Sequence, residues 1–240
     1  FGGDLNNWLF NHEALAADRE VYALDLPGHG ESTKDVGAGT LDALADTVAA
    51  FMDAVGVDSA HLVGHSMGGA VSLTLAARHP QRVTRLVMVG TAYPMKVSPA
   101  LIESSLNEPE KALAMVNVFS RSTLAAPPSA LGPGTWVYGA SLALGRRVLR
   151  SNTAVNVFHR GFVACDRYAG GEAAIGKVTA PVLFVLGAQD QMTQAKAAQG
   201  LVQAAKAAGK VVSIATLPVG HHQMTETPEE TLAAIKAFLA

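Results

Sequence analysis

The sequence predicts an α/β fold with a mainly parallel sheet and helices on both faces, and three observations carry that prediction. Short β-branched runs alternate with stretches of helical periodicity. Glycine or proline stands at junctions between them, as at Gly56, Pro80, Pro181 and Pro228. Of the 240 residues, 49% are apolar, which is enough for one domain to bury a large core.

Taken in order, residues 21–25 (Val-Tyr-Ala-Leu-Asp) read as a first strand. Leu41, Leu44, Ala45, Val48, Phe51, Met52 and Val55 recur at helical spacing, and Gly56 stops that helix. Residues 60–64 read as a second strand, followed by a helix over residues 67–79 that Pro80 ends. Residues 86–90, 182–187 and 211–217 are the third, fourth and fifth strands. A last helix opens at Thr227-Pro228-Glu229-Glu230, where threonine is placed to cap, proline sits at the first helical position and Glu230 completes a capping box. Residues 92–178 break the alternation. They are helix-rich and carry the breakers Pro127-Pro128 and Gly132-Pro133-Gly134, so they read as an inserted helical cap on a core of residues 1–91 and 179–240.

Charge and composition exclude several classes of function. The formal net charge is -2 with no run of like charges, so neither nucleic acid nor an anionic membrane surface is an expected partner. Polar residues or glycine interrupt every apolar stretch before the roughly 18 residues a membrane-spanning helix needs. Cys165 is the single cysteine, so no internal disulfide forms. No secretory pattern opens the sequence, and the cytoplasm is the expected location.

The chemistry centres on Gly64-His65-Ser66-Met67-Gly68, a G-x-S-x-G match between a predicted strand and a predicted helix. A reversal this tight forces Ser66 into a strained backbone conformation, with glycine expected at 64 and 68 because side chains there would collide with the turn. The strain presents the serine oxygen as a nucleophile, and the Met67 N–H at the helix start is placed as an oxyanion donor. The bland reading of the same residues is a glycine-rich turn with a capping serine.

With this motif, followed by Gly69, the chain resembles the α/β-hydrolase superfamily along its whole length. Leu26-Pro27-Gly28-His29-Gly30-Glu31-Ser32 is similar to a loop of that superfamily, in which His29 is expected to be structural. The superfamily order of nucleophile, acid and base implies the partners of Ser66. Gly220-His221-His222-Gln223-Met224-Thr225-Glu226-Thr227-Pro228-Glu229 resembles the family's histidine motif and assigns His221 as base, with His222 at a variable position. Asp190 is the only acid in Leu186-Gly187-Ala188-Gln189-Asp190-Gln191 and is the expected partner of the imidazole. Adjacent histidines lack metal-ligand spacing, so neither a metal nor a cofactor is expected. Serine at the nucleophile position separates the chain from haloalkane dehalogenases and epoxide hydrolases, which use aspartate there.

The opening Phe1-Gly2-Gly3 resembles the loop just after the superfamily's His-Gly pair, which implies the Phe1 N–H as second oxyanion donor. The resemblance also implies that the family's first three strands are missing, one of them central, and hence a fragment of a longer chain. The alternative is a divergent sheet that closes up across the gap. The expected reaction is acyl transfer from a small carboxylic ester to water, through an acyl-enzyme on Ser66. Cap residues such as Leu101, Leu113, Met115, Phe119 and Trp136 would supply apolar walls. Tyr93, Tyr138, Tyr168, His159 and Arg160 are read as structural first and as substrate contacts second, and Trp8 and Trp136 as packing residues. Two other readings stand beside hydrolysis. Phe1 to Ser32 looks like the hydrolase-like domain of the acetyltransferase subunit of acetoin dehydrogenase complexes, which implies a dihydrolipoyl acceptor. A non-catalytic ligand-binding protein on this fold is the third. The same triad also serves cofactor-free haloperoxidases and carbon–carbon bond hydrolases. The sequence fixes neither the substrate nor the oligomeric state.

Overall fold

The computed structural model describes residues 2–121 and 137–240. A short 3-10 turn at Leu5–Trp8 leads into α1 (His12–Ala16), and residues 20–26 then form no regular secondary structure and pair with no strand among the described residues. α2 (Leu41–Ala54), β1 (Ala60–His65), α3 (Met67–Arg78) and β2 (Val83–Val89) follow. The stretch expected to form the cap holds α4 (Pro99–Asn107), α5 (Pro109–Phe119), α6 (Val137–Ser151), α7 (Val157–Arg167) and α8 (Gly171–Lys177). The chain closes with β3 (Val182–Gly187), α9 (Gln199–Ala207), β4 (Val212–Leu217), α10 (Gln223–Glu226) and α11 (Pro228–Leu239).

The four strands form one parallel sheet in the order β1-β2-β3-β4. Because side chains alternate along a strand, each strand feeds two cores. Leu86, Met88, Val182, Phe184 and Leu186 point to the face covered by α2, α3, α8 and α9, where they meet Leu44, Val71, Leu75, Ile175 and Leu201. Val87, Val89, Leu183 and Val185 point to the opposite face and meet Leu15 of α1, Met224, and Ile235 and Leu239 of α11. A third cluster, Ala112, Leu113, Phe158 and Phe162, joins α5 to α7. β3 is buried along its whole length and is the centre of this arrangement. Among the described residues, no helix is long and apolar enough to cross a membrane.

Two sequence expectations fail here, each for a local reason. Residues 21–25 form no strand. They do not close up against β1 either, because a cleft of about 1180 Å³ runs between them: Val21, Tyr22, Ala23 and Leu24 line one side and Ala60 to Gly64 the other. Without a neighbour at pairing distance, a strand-like sequence has only its extended conformation. The capping box at Thr227 is also absent. Thr227 precedes α11, but its hydroxyl donates to the Glu230 carboxylate instead of accepting a backbone N–H. That bond holds the Glu230 carboxyl below its ordinary pKa.

Phe184 is fully buried at the centre of the sheet. Phe184→Ala should therefore destabilise the fold by about 3–5 kcal/mol in urea titrations followed by circular dichroism, since little around it is free to collapse into the space.

Candidate active site

The site lies where β1, β2, β3 and β4 deliver their carboxyl ends, as parallel sheets require. At the end of β1 the chain turns into α3 through Ser66, whose φ of 52° and ψ of -116° make it the one non-glycine residue with positive φ among those described. Holding a serine there costs about 1–3 kcal/mol, and the surroundings enforce it. The Ser66 N–H donates to Val89 O at 2.8 Å, and the Thr91 hydroxyl donates to Ser66 O at 3.0 Å. A Cβ on Gly64 would fall inside the Gly68 carbonyl, and one on Gly69 would overlap the Thr91 hydroxyl. Gly68 is different: a Cβ there meets nothing beyond its own helix. The expected crowding at position 68 is thus found at 69, because the close approach is between α3 and the segment after β2. Met67 opens α3, so its N–H lies at the positive end of the helix dipole. Phe1, the other expected donor, lies outside the described residues.

Asp190 and His221 come from the loops after β3 and β4. His221 Nδ1 donates to Asp190 Oδ2 at 2.8 Å, and both residues are buried. The other carboxylate oxygen, Oδ1, accepts the N–H groups of Met192 and Thr193, each at 2.8 Å. Burial works to raise the Asp190 pKa, but the His221 charge and the donors from His221 and Thr193 outweigh it and hold the carboxyl below its ordinary value. The His221 backbone is fixed as well, since its N–H donates to Ser120 O at 2.8 Å and its carbonyl accepts from His65 Nε2 at 2.7 Å. The pair therefore has a defined orientation and an ionised carboxylate to face an imidazolium.

Three further histidines, 29, 65 and 222, are pushed toward the neutral form. Burial pushes His29 down to about 4, with Nδ1 donating to Pro27 O at 3.1 Å. Burial, and then the charge of His221, push His65 down to about 3. Burial and the neighbouring Arg121 charge push His222 well below its ordinary value. The rings of His65, His221 and His222 lie 4.6–5.7 Å apart, yet among the described residues no group of three or more His, Cys, Asp or Glu is arranged to hold a metal ion. Burial pushes the Cys165 thiol up to about 12, which leaves it inert.

Ser66, Met67 and His221 line the same cleft as Leu101 of α4, Leu113, Met115, Val116 and Phe119 of α5, and Leu144 of α6. Tyr93, Tyr138, Tyr168, His159 and Arg160 do not line it. Tyr93 instead accepts the Gly170 N–H and stacks edge-on against Tyr168, and His159 bonds to Ser105. Trp8 does line the cleft, and Trp136 lies outside the described residues. The residue missed in sequence is Thr193, whose hydroxyl touches Asp190 and His221. Its signal was there: Asp-x-x-Thr is a pattern in which backbone and hydroxyl turn back onto the carboxylate.

Comparison with known proteins gives one consistent answer about ancestry. A family model described as the alpha/beta hydrolase fold matches residues 1–226. The chain is 62% identical over 92 residues to the dihydrolipoyllysine-residue acetyltransferase component of the acetoin cleaving system of Pseudomonas putida, a match that covers 38% of this chain and 25% of that protein. The chain thus spans about a quarter of the length of that relative. Among solved structures, a hydrolase from Pseudomonas aeruginosa PA01 superposes with a TM-score of 0.80 at 26% identity, covering 100% of this chain and 86% of that one. A thermophilic esterase superposes with a TM-score of 0.77 at 28% identity, covering 99% and 86%.

Two predictions follow from this geometry. Gly64→Ala should destabilise the protein by about 2 kcal/mol or more because of the overlap with Gly68 O, whereas Gly68→Ala should leave the melting temperature unchanged or slightly raised; differential scanning calorimetry reads both. His29 stays neutral in the folded chain down to about 4 but ionises near 6.5 once unfolded. A depressed pKa contributes stability above the unfolded value that is lost as pH falls toward the folded one, at up to about 1.4 kcal/mol per pH unit. His29→Gln should therefore flatten the fall in melting temperature between pH 6.5 and 4.

Proposed function

Since the chain belongs to the α/β-hydrolase fold family, we propose that it is a serine hydrolase of small carboxylic esters, with Ser66 as nucleophile, His221 as base and Asp190 as the acid that orients it. The observation that carries this reading is the buried 2.8 Å bond from His221 Nδ1 to Asp190 Oδ2, on the cleft that Ser66 reaches from its strained turn. With Nδ1 protonated, Nε2 is the lone-pair nitrogen and is free to take a proton.

The reaction proceeds in two halves. Ser66 Oγ attacks the ester carbonyl carbon as His221 Nε2 takes the hydroxyl proton, and the carbonyl oxygen becomes an alkoxide. The Met67 N–H, with the helix dipole behind it, stabilises that charge. The tetrahedral adduct then collapses, the C–O bond to the alcohol breaks, and the imidazolium returns its proton to the leaving alkoxide. Water attacks the acyl-enzyme with His221 again as base, releasing the acid and restoring Ser66. Throughout, Asp190 stays ionised and offsets the imidazolium charge. The apolar cap residues favour an acyl group of modest size.

A second reading draws on the acetoin-system relative. There a thiol of a dihydrolipoyl group would replace water in the second half-reaction, and the first half would be unchanged. Supplying dihydrolipoamide as acceptor separates the two: faster acyl release with thioester formed supports acyl transfer, and release indifferent to the thiol supports hydrolysis.

The primary test uses p-nitrophenyl esters of increasing acyl length. Ser66→Ala and His221→Ala should each lower kcat by about 10⁴-fold, with the circular dichroism spectrum unchanged. His222→Ala should cost less than about tenfold, because His222 makes no bond to Asp190. A lethal His222→Ala would reassign the base, and a fully active Ser66→Ala would remove the proposal.

A further inference from the structure

We propose that Thr193 is a positioning residue of this site: its hydroxyl ties the Asp190–His221 pair to the end of β2 and so keeps His221 Nε2 aimed toward Ser66. The inference rests on the proposed roles of Ser66, Asp190 and His221, and deepens them.

Three contacts converge on one atom. Thr193 Oγ1 lies 2.7 Å from Gly90 O, 2.9 Å from Asp190 Oδ2 and 3.0 Å from His221 Nδ1. Asp190 Oδ2 and His221 Nδ1 are themselves 2.8 Å apart, so carboxylate, imidazole and hydroxyl form a closed triangle. A hydroxyl has one proton and two lone pairs. Gly90 O and the ionised Asp190 Oδ2 only accept, so the Thr193 proton is shared between these two. Nδ1 carries a proton, so it meets a lone pair of Oγ1. The Nδ1–H is thereby held in a fork between Asp190 Oδ2 and Thr193 Oγ1, and the imidazole plane is fixed by two acceptors instead of one.

The link to Gly90 gives this a mechanical consequence. Gly90 stands between Val89, whose carbonyl accepts the Ser66 N–H, and Thr91, whose hydroxyl donates to Ser66 O. Nucleophile and base come from different strands, β1 and β4, which do not touch in the sheet. Thr193 completes a hydrogen-bonded path to the His221 side chain, from Ser66 through the segment from Val89 to Thr91 to Thr193 and His221, beside the one that His65 Nε2 makes to the His221 carbonyl. Its backbone is anchored as well, since the Thr193 N–H donates to Asp190 Oδ1 at 2.8 Å. The path is partly buried, and a misaimed imidazole lowers turnover through geometry, not through substrate affinity.

The test compares Thr193→Ala with Thr193→Ser. Alanine removes the hydroxyl without pressing a methyl group against the carboxylate, and serine restores the hydroxyl alone. Thr193→Ala should lower kcat for p-nitrophenyl acetate by about tenfold, the equivalent of one lost buried hydrogen bond, with KM within about twofold. Thr193→Ser should recover most of the loss. In proton NMR the exchange-protected, downfield His221 Nδ1–H resonance should move and broaden in Thr193→Ala and return in Thr193→Ser. A resonance unchanged in Thr193→Ala, or a loss that appears in KM alone, overturns the proposal, as does failure of Thr193→Ser to rescue. The resonance needs no turnover. If wild-type protein leaves esters intact while the resonance still responds to Thr193, the hydrolase reading fails and the positioning role stands.

Discussion

The site depends on three residues at the carboxyl end of β2. Val89 O holds the Ser66 N–H, Gly90 N–H is held by Val185 O of β3 at 2.9 Å, Gly90 O receives the Thr193 hydroxyl, and the Thr91 hydroxyl reaches Ser66 O. β2 lies between β1, which leads to Ser66, and β3, which leads to Asp190. Any shear between β1 and β3 would therefore appear here first, as a displaced Ser66 or a displaced Asp190. The two apolar clusters on either side of the sheet resist that shear. Val87 and Val89 on one face and Leu86 and Met88 on the other are all fully buried, so the strand has no free side toward which to slide. Core packing and catalytic geometry are one constraint here, read at two levels.

Electrostatics follow from the same burial. Among the histidines that line the cleft, desolvation is the first cause that pushes His29, His65 and His222 toward the neutral form. Only His221 has a carboxylate within hydrogen-bond distance. His65 spends its Nε2–H on the His221 carbonyl and His29 its Nδ1–H on Pro27, so each is committed to backbone. His222 sits close to Arg121, where a positive imidazolium would be repelled. The proposed base is thus the histidine that is bonded to a carboxylate. Adjacent histidines in the sequence, 221 and 222, end up in opposite electrostatic surroundings because their side chains diverge by one position at the start of α10.

What was legible in the sequence divides along the same line. The strand–Ser–helix turn was readable because its local signal agrees with its place in the fold, whereas Asp190 and His221 were singled out by the resemblance to the hydrolase superfamily. Strand β2 begins three residues earlier than its apolar run suggested, since Val83 and Arg85 already pair with β1. Other features were invisible because they depend on residues distant in sequence. Position 69, not 68, is the crowded glycine, and only the approach of Thr91 decides that. Residues 21–25 have the composition of a strand, but pairing is a property of two segments, and among the described residues no strand pairs with them. For Thr193, the Asp-x-x-Thr spacing shows the turn back onto the carboxylate but not the contact with Gly90, which comes from more than a hundred positions away.

The gap beside residues 21–26 also governs how the cleft should be read. Its volume of about 1180 Å³ exceeds what a small ester needs, but that volume is continuous from the cap helices, past Ser66, into the space between β1 and the extended segment. The two ends differ in chemistry. Leu113, Val116, Phe158, Phe162 and Met192 form an apolar wall on the cap side. On the far side the cleft is bordered by the backbone of β1 and of residues 21–24, whose N–H and C=O groups have no strand partner across it. An acyl chain gains by burial against the first and would leave peptide groups unsatisfied against the second. Under the proposed ester hydrolysis, the apolar wall of α5 and α7, not the total cavity, would therefore set the size of the acyl group at Ser66.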